Sequence, residues 1–346
     1  MSSVRSKGIP VITRFRRTTM AAALTLGAAL ALSGCTGSAN EGTDEAPVEN
    51  SAESYYPITV TDMAGNEVTI ESADSVAITD NRFFQLAAEW DLPISVAPRA
   101  LFSPENPLKN DESILDIGNH SEPDFEKIVA ADPDLVINGY RFGSEESAQG
   151  VKDAAPDAAF VDMTADELSV DEYVTQSLTL MGEIFDRQDE AEALIDDFHS
   201  AVDDAKAAYD PETTVMGLVT TGRDINYSNP EDGRGSSVFF DLLDLTPALE
   251  TSGSESHTGD DISLEAIAGS NAAFFLVLDR AAAVSSEGGD DQSALELING
   301  SASLASVPAV VNGAIYVMPA DYYLTEDVFA YITVLEGLAD AFAEQR

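Results

Sequence analysis

The sequence predicts an α/β protein of two lobes, joined by a single long α-helix and separated by a ligand cleft. One observation is an internal repeat. Asp124–Ile128 leads into an apolar run that ends at Arg141, and Ser263–Ile267 leads into another that ends at Arg280. The other is an amphipathic segment, residues 169–209, that lies between the two copies. Together they predict one α/β unit on each side of a helical backbone.

The N-terminus is predicted to be an export signal, residues 1–34. A basic start is followed by the apolar run Met20–Gly34, which is too short for a comfortable membrane span. The run ends in Leu32–Cys35, which resembles the bacterial lipobox, whose cysteine is lipid-modified. Cys35 is the only cysteine, so it has no disulfide partner; a buried or catalytic thiol is the alternative. Residues 35–54, the lipidated cysteine and a small, polar, acidic stretch, are predicted to be a flexible tether.

The first lobe is assigned to residues 55–168. Gly65 and Asn66 join two short β-type runs and predict a hairpin at its start. Strands then alternate with a helix, which gives the β-α-β order of an α/β lobe. The predicted elements are strands Ile58–Thr61, Glu67–Ile70, Ser75–Thr79, Ile94–Ala97 and Leu135–Asn138, and helix Asn81–Trp90.

Residues 169–209 are predicted to be the connecting helix. Ser169 and Glu172 form a capping-box pattern, and apolar residues follow at helical spacing, with a polar break near Asp186–Asp189. A continuous helix of this length would extend roughly 55 to 60 Å, which suits a backbone between two lobes.

The second lobe is assigned to residues 210–346. Pro211 ends the connecting helix, and a second α/β unit follows it. Its predicted strands are apolar without alternation, as in parallel strands covered on both faces. The predicted elements are strands Val215–Thr220, Phe274–Leu278 and Ile315–Met318, helix Ser237–Leu245, and a closing helix over 327–346.

The charge of the chain excludes nucleic acid as a partner. The sequence has 17 Lys and Arg against 62 Asp and Glu, a formal net charge of −45. Removal of the signal, which holds five basic residues and no acid, makes the mature chain more negative still. Such a field repels nucleic acid and anionic membrane surfaces. Solubility in a salty medium is the simplest cause of the excess.

Four arginines are candidate ligand-binding residues. Arg141 and Arg280 follow matched strands, and ligands of open α/β sheets bind beyond the carboxyl ends of strands. Arg99 follows another strand, and Arg234 lies in the Gly- and Ser-rich loop Asp232–Ser236. Guanidinium groups suit a large delocalised oxyanion, so three that converge, Arg141, Arg234 and Arg280, would neutralise a trianion. Surface salt bridges to local acids remain the alternative.

One histidine and two tyrosines are candidate ligands for ferric iron. His257 lies in a polar loop before the second repeat copy, and Tyr322 and Tyr323 follow the last predicted strand. His120, which precedes the first copy at a similar distance, is a weaker cleft candidate, and His199 in the connecting segment is expected to be structural or exposed. A solvated loop histidine is the alternative for His257.

No enzyme motif is present. HExxH, GxSxG, P-loop, GxGxxG and CxxC patterns are all missing from the sequence. Carboxylate pairs occur throughout so acidic a chain and carry no information. We therefore expect a binding protein, neither an enzyme nor the holder of an intrinsic cofactor.

The chain resembles the substrate-binding lipoproteins of iron-siderophore ABC importers, and among them the catecholate-siderophore group. The resemblance rests on the lipobox, the run Glu122–Ile137, the long central segment and Phe275–Arg280, and it covers nearly all of the chain from Tyr55 onward. It implies the two-lobed periplasmic-binding-protein fold with a helical backbone. One departure follows Tyr323: a Gly-rich stretch is usual there, and this chain has Thr325, Glu326 and Asp327.

The resemblance also implies residue roles. Arg141, Arg234 and Arg280 would form a tripod under an anionic ferric catecholate. His257 and Tyr323 would complete the iron shell of a tetradentate siderophore. Glu126 and Glu265, one at the tip of each lobe, would dock on the permease.

The expected protein is a monomeric lipoprotein on the outer face of the cell membrane that captures a ferric siderophore and delivers it to an ABC permease. Iron enters only as part of the ligand. A haem or corrinoid receptor of the same fold is the first alternative, and a secreted hydrolase or a zinc or manganese lipoprotein are others. With three histidines in the chain, the metal lipoprotein is disfavoured.

Overall fold

The computed structural model describes residues 54–165, 168–251, 253–254, 256–284 and 292–346. The predicted signal peptide, Cys35 and all of the tether except Ser54 lie outside these ranges. None of the helices within them is long and apolar enough to cross a membrane.

The first lobe begins with an antiparallel hairpin of β1 (Ile58–Thr61) and β2 (Glu67–Ile70), as predicted. A parallel five-stranded sheet follows, with the strand order β5-β4-β3-β6-β7. Its central strands are buried on both faces, which agrees with their apolar sequences. The strands of this sheet are β3 (Val76–Ile78), β4 (Ile94–Ala97), β5 (Leu115–Asp116), β6 (Leu135–Asn138) and β7 (Ala159–Asp162).

The second lobe has its own sheet, which is parallel except for one strand. The parallel strands have the order β10-β8-β11-β12, and β9 pairs antiparallel with β8. The central strand β11 is buried along its whole length. The strands of this sheet are β8 (Thr214–Thr221), β9 (Asp224–Ser228), β10 (Thr246–Pro247), β11 (Phe274–Asp279) and β12 (Ile315–Val317).

Helices pack on both sheets, and the larger hydrophobic cluster runs from the first lobe through the connecting helices into the second lobe, which also has a smaller cluster of its own. In the first lobe they are α1 (Phe84–Glu89), α2 (Glu126–Ala131) and α3 (Glu145–Ala154), and α4 (Val170–Phe185) and α5 (Gln188–Ala208) lead to the second lobe. In the second lobe they are α6 (Ser237–Leu243), α7 (Leu264–Gly269), α8 (Arg280–Val284), α9 (Ala294–Gly300), α10 (Pro308–Asn312), α11 (Tyr322–Thr325) and α12 (Val328–Glu344).

The internal repeat is confirmed as a structural repeat. The first copy folds as α2 followed by β6, and the second folds as α7 followed by β11. Both strands run parallel to the neighbours that flank them in their sheets. Arg141 lies in the short turn after β6, and Arg280 begins α8 directly after β11. Both arginines therefore project from the carboxyl ends of strands.

The connector differs from the single helix that was predicted. Phe185 ends α4, because Asp186 adopts the left-handed conformation with φ 54°, and α5 starts two residues later. The two helices fold back on each other: His199 Nε2 of α5 lies 2.9 Å from Asp171 Oδ1 at the start of α4. The polar break seen in the sequence is the turn of a helical hairpin, and α5 alone, at 1.5 Å per residue, extends about 30 Å.

The closing helix α12 begins at a buried cap. Asp327 is 3% exposed, and its carboxylate accepts a hydrogen bond of 2.8 Å from the backbone N–H of Ala330. Burial raises the pKa of Asp327 to about 7, so its neutral form predominates in the folded protein below that pH.

Replacing Asp327 by asparagine is expected to stabilise the protein above pH 7. The folded-state pKa exceeds the ordinary value, so this group's contribution is fully present below about pH 4 and is lost as the pH rises through about 7. Asparagine keeps the cap without a charge, and the gain at pH 8 should be on the order of 3 kcal/mol. Thermal unfolding at pH 5 and pH 8 measures it. Asp340→Asn, which is exposed on the same helix, is the matched control. An equal loss of stability at both pH values would show that the carboxylate is ionised.

Candidate functional site

Three arginines from three separate loops surround the ring of Tyr323. The guanidinium carbons of Arg141, Arg234 and Arg280 lie 5.8, 5.3 and 5.4 Å from the centre of that ring. Contacts of this length are cation–π interactions. The arginines that the sequence placed in one cleft are therefore brought together, and Tyr323 is the residue that they share.

Arg141 is positioned by an unusual backbone after β6. Gly139 leaves room for the Asp80 carboxylate, which a side chain at this position would overlap. Tyr140 then adopts a left-handed conformation with φ 47°, which is uncommon for a bulky residue and typical of functional sites. The turn aims Arg141 at the second lobe, where its Nη2 donates a 3.1 Å hydrogen bond to the carbonyl of Tyr323.

Arg234 is held by its own loop. The Ser228 hydroxyl donates to the Arg234 carbonyl at 3.0 Å, and the Ser236 hydroxyl donates to Ser228 at 2.7 Å. Gly235 has φ +86°, and a Cβ there would lie 2.8 Å from a methyl group of Leu278. Only glycine fits this position without strain, so the Gly- and Ser-rich composition of the loop serves to place one arginine.

Arg280 reaches the cluster from the end of β11. Its Nε donates to the Tyr323 hydroxyl at 3.2 Å, and its Nη1 lies 3.4 Å from the Thr221 hydroxyl at the end of β8. Among the residues that the structure describes, no carboxylate oxygen lies within 4.0 Å of this guanidinium. The Arg280 side chain is thus bonded to neutral partners.

Glu326 is the anion at the centre of the site. Its Oε2 forms an ion pair with Arg234, lies 3.7 Å from Arg141 Nη2, and accepts a hydrogen bond from the Tyr140 hydroxyl. Its side chain is 8% exposed. Sequence reasoning did not select this residue, although its departure from the family pattern was the available signal.

The charged groups of the site are partly withdrawn from water. The side chains of Arg141 and Arg234 are 12% and 18% exposed, and the Nε of each has no hydrogen-bond partner among the described residues. Burial opposes the charge of Arg234, but the Glu326 carboxylate and the neighbouring phenols together outweigh it and raise the pKa of Arg234. Burial, followed by the negative charge of Glu326, raises the pKa of the Tyr140 phenol. Each arginine thus keeps one buried N–H donor without a partner among the described residues.

His120 belongs to the neighbourhood of the cluster. Partial desolvation, followed by the positive charges of Arg141 and Arg234, lowers the pKa of its imidazole. The neutral imidazole is the form that ligates metals and accepts hydrogen bonds. His120 was the weaker histidine candidate, and its place six residues before Glu126 was the signal.

The structure does not bring three other candidates into this cluster. Tyr322 is 1% exposed, donates to the Gly235 carbonyl and packs on Phe239, so it is a core residue. The guanidinium of Arg99 donates to the carbonyls of Lys109 and Ile114, so it holds a loop of the first lobe together. His257 is exposed, and no described residue hydrogen-bonds its ring. Of the seven predicted ligand residues, the cluster holds Arg141, Arg234, Arg280 and Tyr323.

The two predicted docking residues are exposed at corresponding places. Glu126 is the first residue of α2, and Glu265 lies in the first turn of α7. Each glutamate also gains from the positive end of its helix. Their role in docking stays a prediction.

The described residues contain no group of three or more His, Cys, Asp or Glu side chains that is arranged to hold a metal ion. The site is instead an assembly of cations and phenols around one carboxylate. Such an arrangement can grip an anion by charge and by directed hydrogen bonds.

Comparison with known proteins places this fold in a family. The model of the family described as periplasmic binding protein matches residues 76–322, which include both sheets and most of the cluster. The chain belongs to the periplasmic binding protein family. The two-lobed fold and the family resemblance predicted from the sequence are thereby confirmed.

Several proteins that are named for a siderophore ligand are similar to the chain. The petrobactin-binding protein YclQ of Bacillus subtilis is 28% identical over 238 residues, which are 68% of this chain and 69% of the relative. The ferric-anguibactin-binding protein FatB of Vibrio anguillarum is 26% identical over 82% of this chain and 86% of its own. The structure of the siderophore-binding protein BauB, bound to two acinetobactin molecules and ferric iron, has a TM-score of 0.70. It is 19% identical and covers 83% of this chain and 99% of that chain, a likeness that concerns the fold.

Proposed function

We propose that this protein binds a ferric siderophore of the catecholate type in the cleft between its lobes and delivers it to an ABC importer for iron uptake. The observation that carries the proposal is the convergence of Arg141, Arg234 and Arg280 on Tyr323. The relatives whose names record petrobactin and ferric anguibactin as ligands support the choice of a siderophore. The protein is a binder and carries out no chemistry.

The arginines recognise the anionic oxygens of the complex. Ferric catecholates are anions whose charge is spread over several oxygens, and forked guanidinium groups match such oxygens better than ammonium groups do. Arg141 comes from the first lobe, whereas Arg234 and Arg280 come from the second. A ligand that touches all three would bridge the lobes, so binding and lobe closure would be linked.

Tyr323 supports the site in two ways. Its ring faces the three cations, and its hydroxyl accepts a hydrogen bond from Arg280. A tyrosine phenolate is a ligand for ferric iron. Tyr323 is the residue that we assign to the iron of a tetradentate siderophore, and His120, whose pKa is lowered by burial and then by the charges of Arg141 and Arg234, takes the place of His257 as the histidine of the site.

The proposed location and the proposed contact with a permease rest on the sequence. Lipidation at Cys35 and the acidic tether would hold the protein at the outer face of the cell membrane, as a monomer. Glu126 and Glu265, exposed on one helix of each lobe, would contact the permease. No enzymatic activity and no intrinsic cofactor is part of the proposal.

A titration of the mature protein tests the proposal. Quenching of Trp90 and tyrosine fluorescence is followed with a ferric bis-catecholate, a ferric tris-catecholate, a ferric trihydroxamate and haem. We expect sub-micromolar binding of at least one catecholate complex, on the order that periplasmic capture requires, with binding of the neutral trihydroxamate at least about tenfold weaker. Binding of haem alone would replace the proposal with a haem receptor.

A further inference from the structure

A short segment of the second lobe, residues 322–326, lies against the first lobe and carries an anion into the arginine cluster. The Asn81 amide donates to the carbonyls of Leu324 and Thr325 at 2.9 and 3.1 Å, and Arg141 donates to the carbonyl of Tyr323. Glu326 ends α11 in a left-handed conformation with φ 44°. The backbone on which Glu326 stands is thus fixed by hydrogen bonds from the opposite lobe.

The carboxylate of Glu326 is built into the site. It is buried, and one of its oxygens faces two guanidinium groups and one phenol, from Arg141, Arg234 and Tyr140. Two of these partners come from the first lobe and one from the second. A carboxylate with only a solubilising role would lie in solvent, as most of the acidic residues of this chain do.

Glu326 changes the charge that the cluster offers. Three arginines and one glutamate leave two net positive charges, and Arg280 is the arginine without a carboxylate partner among the described residues. A trianionic ligand would more than neutralise this set and would bring its oxygens close to a fixed carboxylate. A ligand with fewer negative charges meets less repulsion.

We propose that Glu326 is an internal counter-anion that determines which ferric complexes the cleft accepts. It occupies part of the anion site and so takes the place of one negative charge of the ligand. The cleft then selects ferric complexes of low negative charge, such as a monoanionic bis-catecholate, over the trianionic tris-catecholate. This inference rests on the proposed function and names the ligand class within it.

The test compares two ferric complexes that differ in charge. The affinities of the ferric bis-catecholate and the ferric tris-catecholate are measured for the wild-type protein and for Glu326→Gln, which keeps the size and polarity of the side chain. We expect the wild type to favour the bis-catecholate, and we expect Glu326→Gln to shift the affinity ratio towards the tris-catecholate by about tenfold, since the two ligands differ by two charges near the removed carboxylate. Glu326→Asp, which keeps the charge, should preserve the wild-type preference.

Glu105→Gln is the matched control. Glu105 is exposed and lines a cavity of about 240 Å³ between the lobes, together with Ala283 and Leu324, and it forms no ion pair with the arginines. The substitution Glu105→Gln therefore removes one negative charge between the lobes without touching the arginine cluster. The ratio of the two catecholate affinities should change by less than about twofold.

The outcomes separate this inference from the proposed function. Binding of both catecholates with a ratio that Glu326→Gln leaves unchanged, or that Glu105→Gln shifts equally, would overturn the counter-anion and keep the siderophore site. Failure of every variant and of the wild type to bind either complex would overturn the proposed function. If Glu326→Gln does not fold, as judged by circular dichroism, the wild-type ratio decides: a preference for the tris-catecholate by tenfold or more would contradict the inference.

Discussion

Arg280→Ala is expected to weaken binding of a ferric catecholate by about 100-fold, the size of effect seen when a buried charge partner is removed from an interface. The guanidinium of Arg280 is hydrogen-bonded to the hydroxyls of Tyr323 and Thr221. Among the described residues it has no carboxylate partner, so its removal leaves no carboxylate unpaired. The loss of affinity would therefore report the missing contact with the ligand, with little effect on folding. Fluorescence and visible-absorbance titrations measure it.

Two variants make the Arg280 result specific. Arg280→Lys keeps the charge and loses the fork, so an intermediate loss of about tenfold is expected. Arg223→Ala removes an exposed arginine between β8 and β9, outside the cluster, and should bind as the wild type does. Equal affinities of Arg280→Ala and Arg223→Ala would show that the cluster does not hold the ligand.

Asp80→Ala is expected to cause the largest loss of stability, about 3 to 5 kcal/mol, because it breaks a buried ion pair. The Asp80 side chain is fully buried and accepts hydrogen bonds of 3.0 and 2.6 Å from Nε and Nη2 of Arg82. The Arg82 guanidinium also lies over the rings of Tyr140 and Tyr173, at 4.7 and 4.2 Å. Without Asp80, its charge would stay buried and unpaired.

Denaturant unfolding measures the Asp80 effect, and two comparisons interpret it. The double variant Asp80→Ala/Arg82→Met removes both charges and should recover part of the lost stability. Glu190→Ala breaks the exposed pair of Arg187 and Glu190, at 3.9 Å, and should cost less than about 1 kcal/mol. A loss at Asp80 no larger than that at Glu190 would mean that the pair is solvated.

Much of the fold was predictable from the sequence because its signals are local. The strands of the repeat, Leu135–Asn138 and Phe274–Asp279, are apolar up to their last residue, and turn residues marked the hairpin at Gly65. The reversal of the chain in the connecting segment, residues 169–209, was harder to predict. The sequence shows a polar break near Asp186–Asp189, but it does not show that the chain reverses there, where Gly182 packs so closely on Ala191 that a Cβ would approach to 2.8 Å. Contacts of this kind are tertiary and leave no periodic trace.

In the site, too, some residues could be predicted from local sequence signals and others could not. Strand ends and a Gly-rich loop identified the three arginines, since topology brings such positions together. Position after a strand did not distinguish Tyr323 from its neighbour Tyr322, and only the family resemblance selected Tyr323; in the structure a four-residue helix turns one ring to the cluster and the other to the core. Glu326 stood among many carboxylates, and although it departs from the family pattern, its hydrogen bonds to both lobes are what show its place in the site.

The most direct test of the siderophore site is a crystal structure of the protein with a ferric bis-catecholate. We predict that the complex lies between the lobes, with catecholate oxygens within about 3.2 Å of guanidinium nitrogens of Arg141, Arg234 and Arg280 and the iron nearest to Tyr323. A complex bound elsewhere, with all three arginines free of it, would contradict the proposed function.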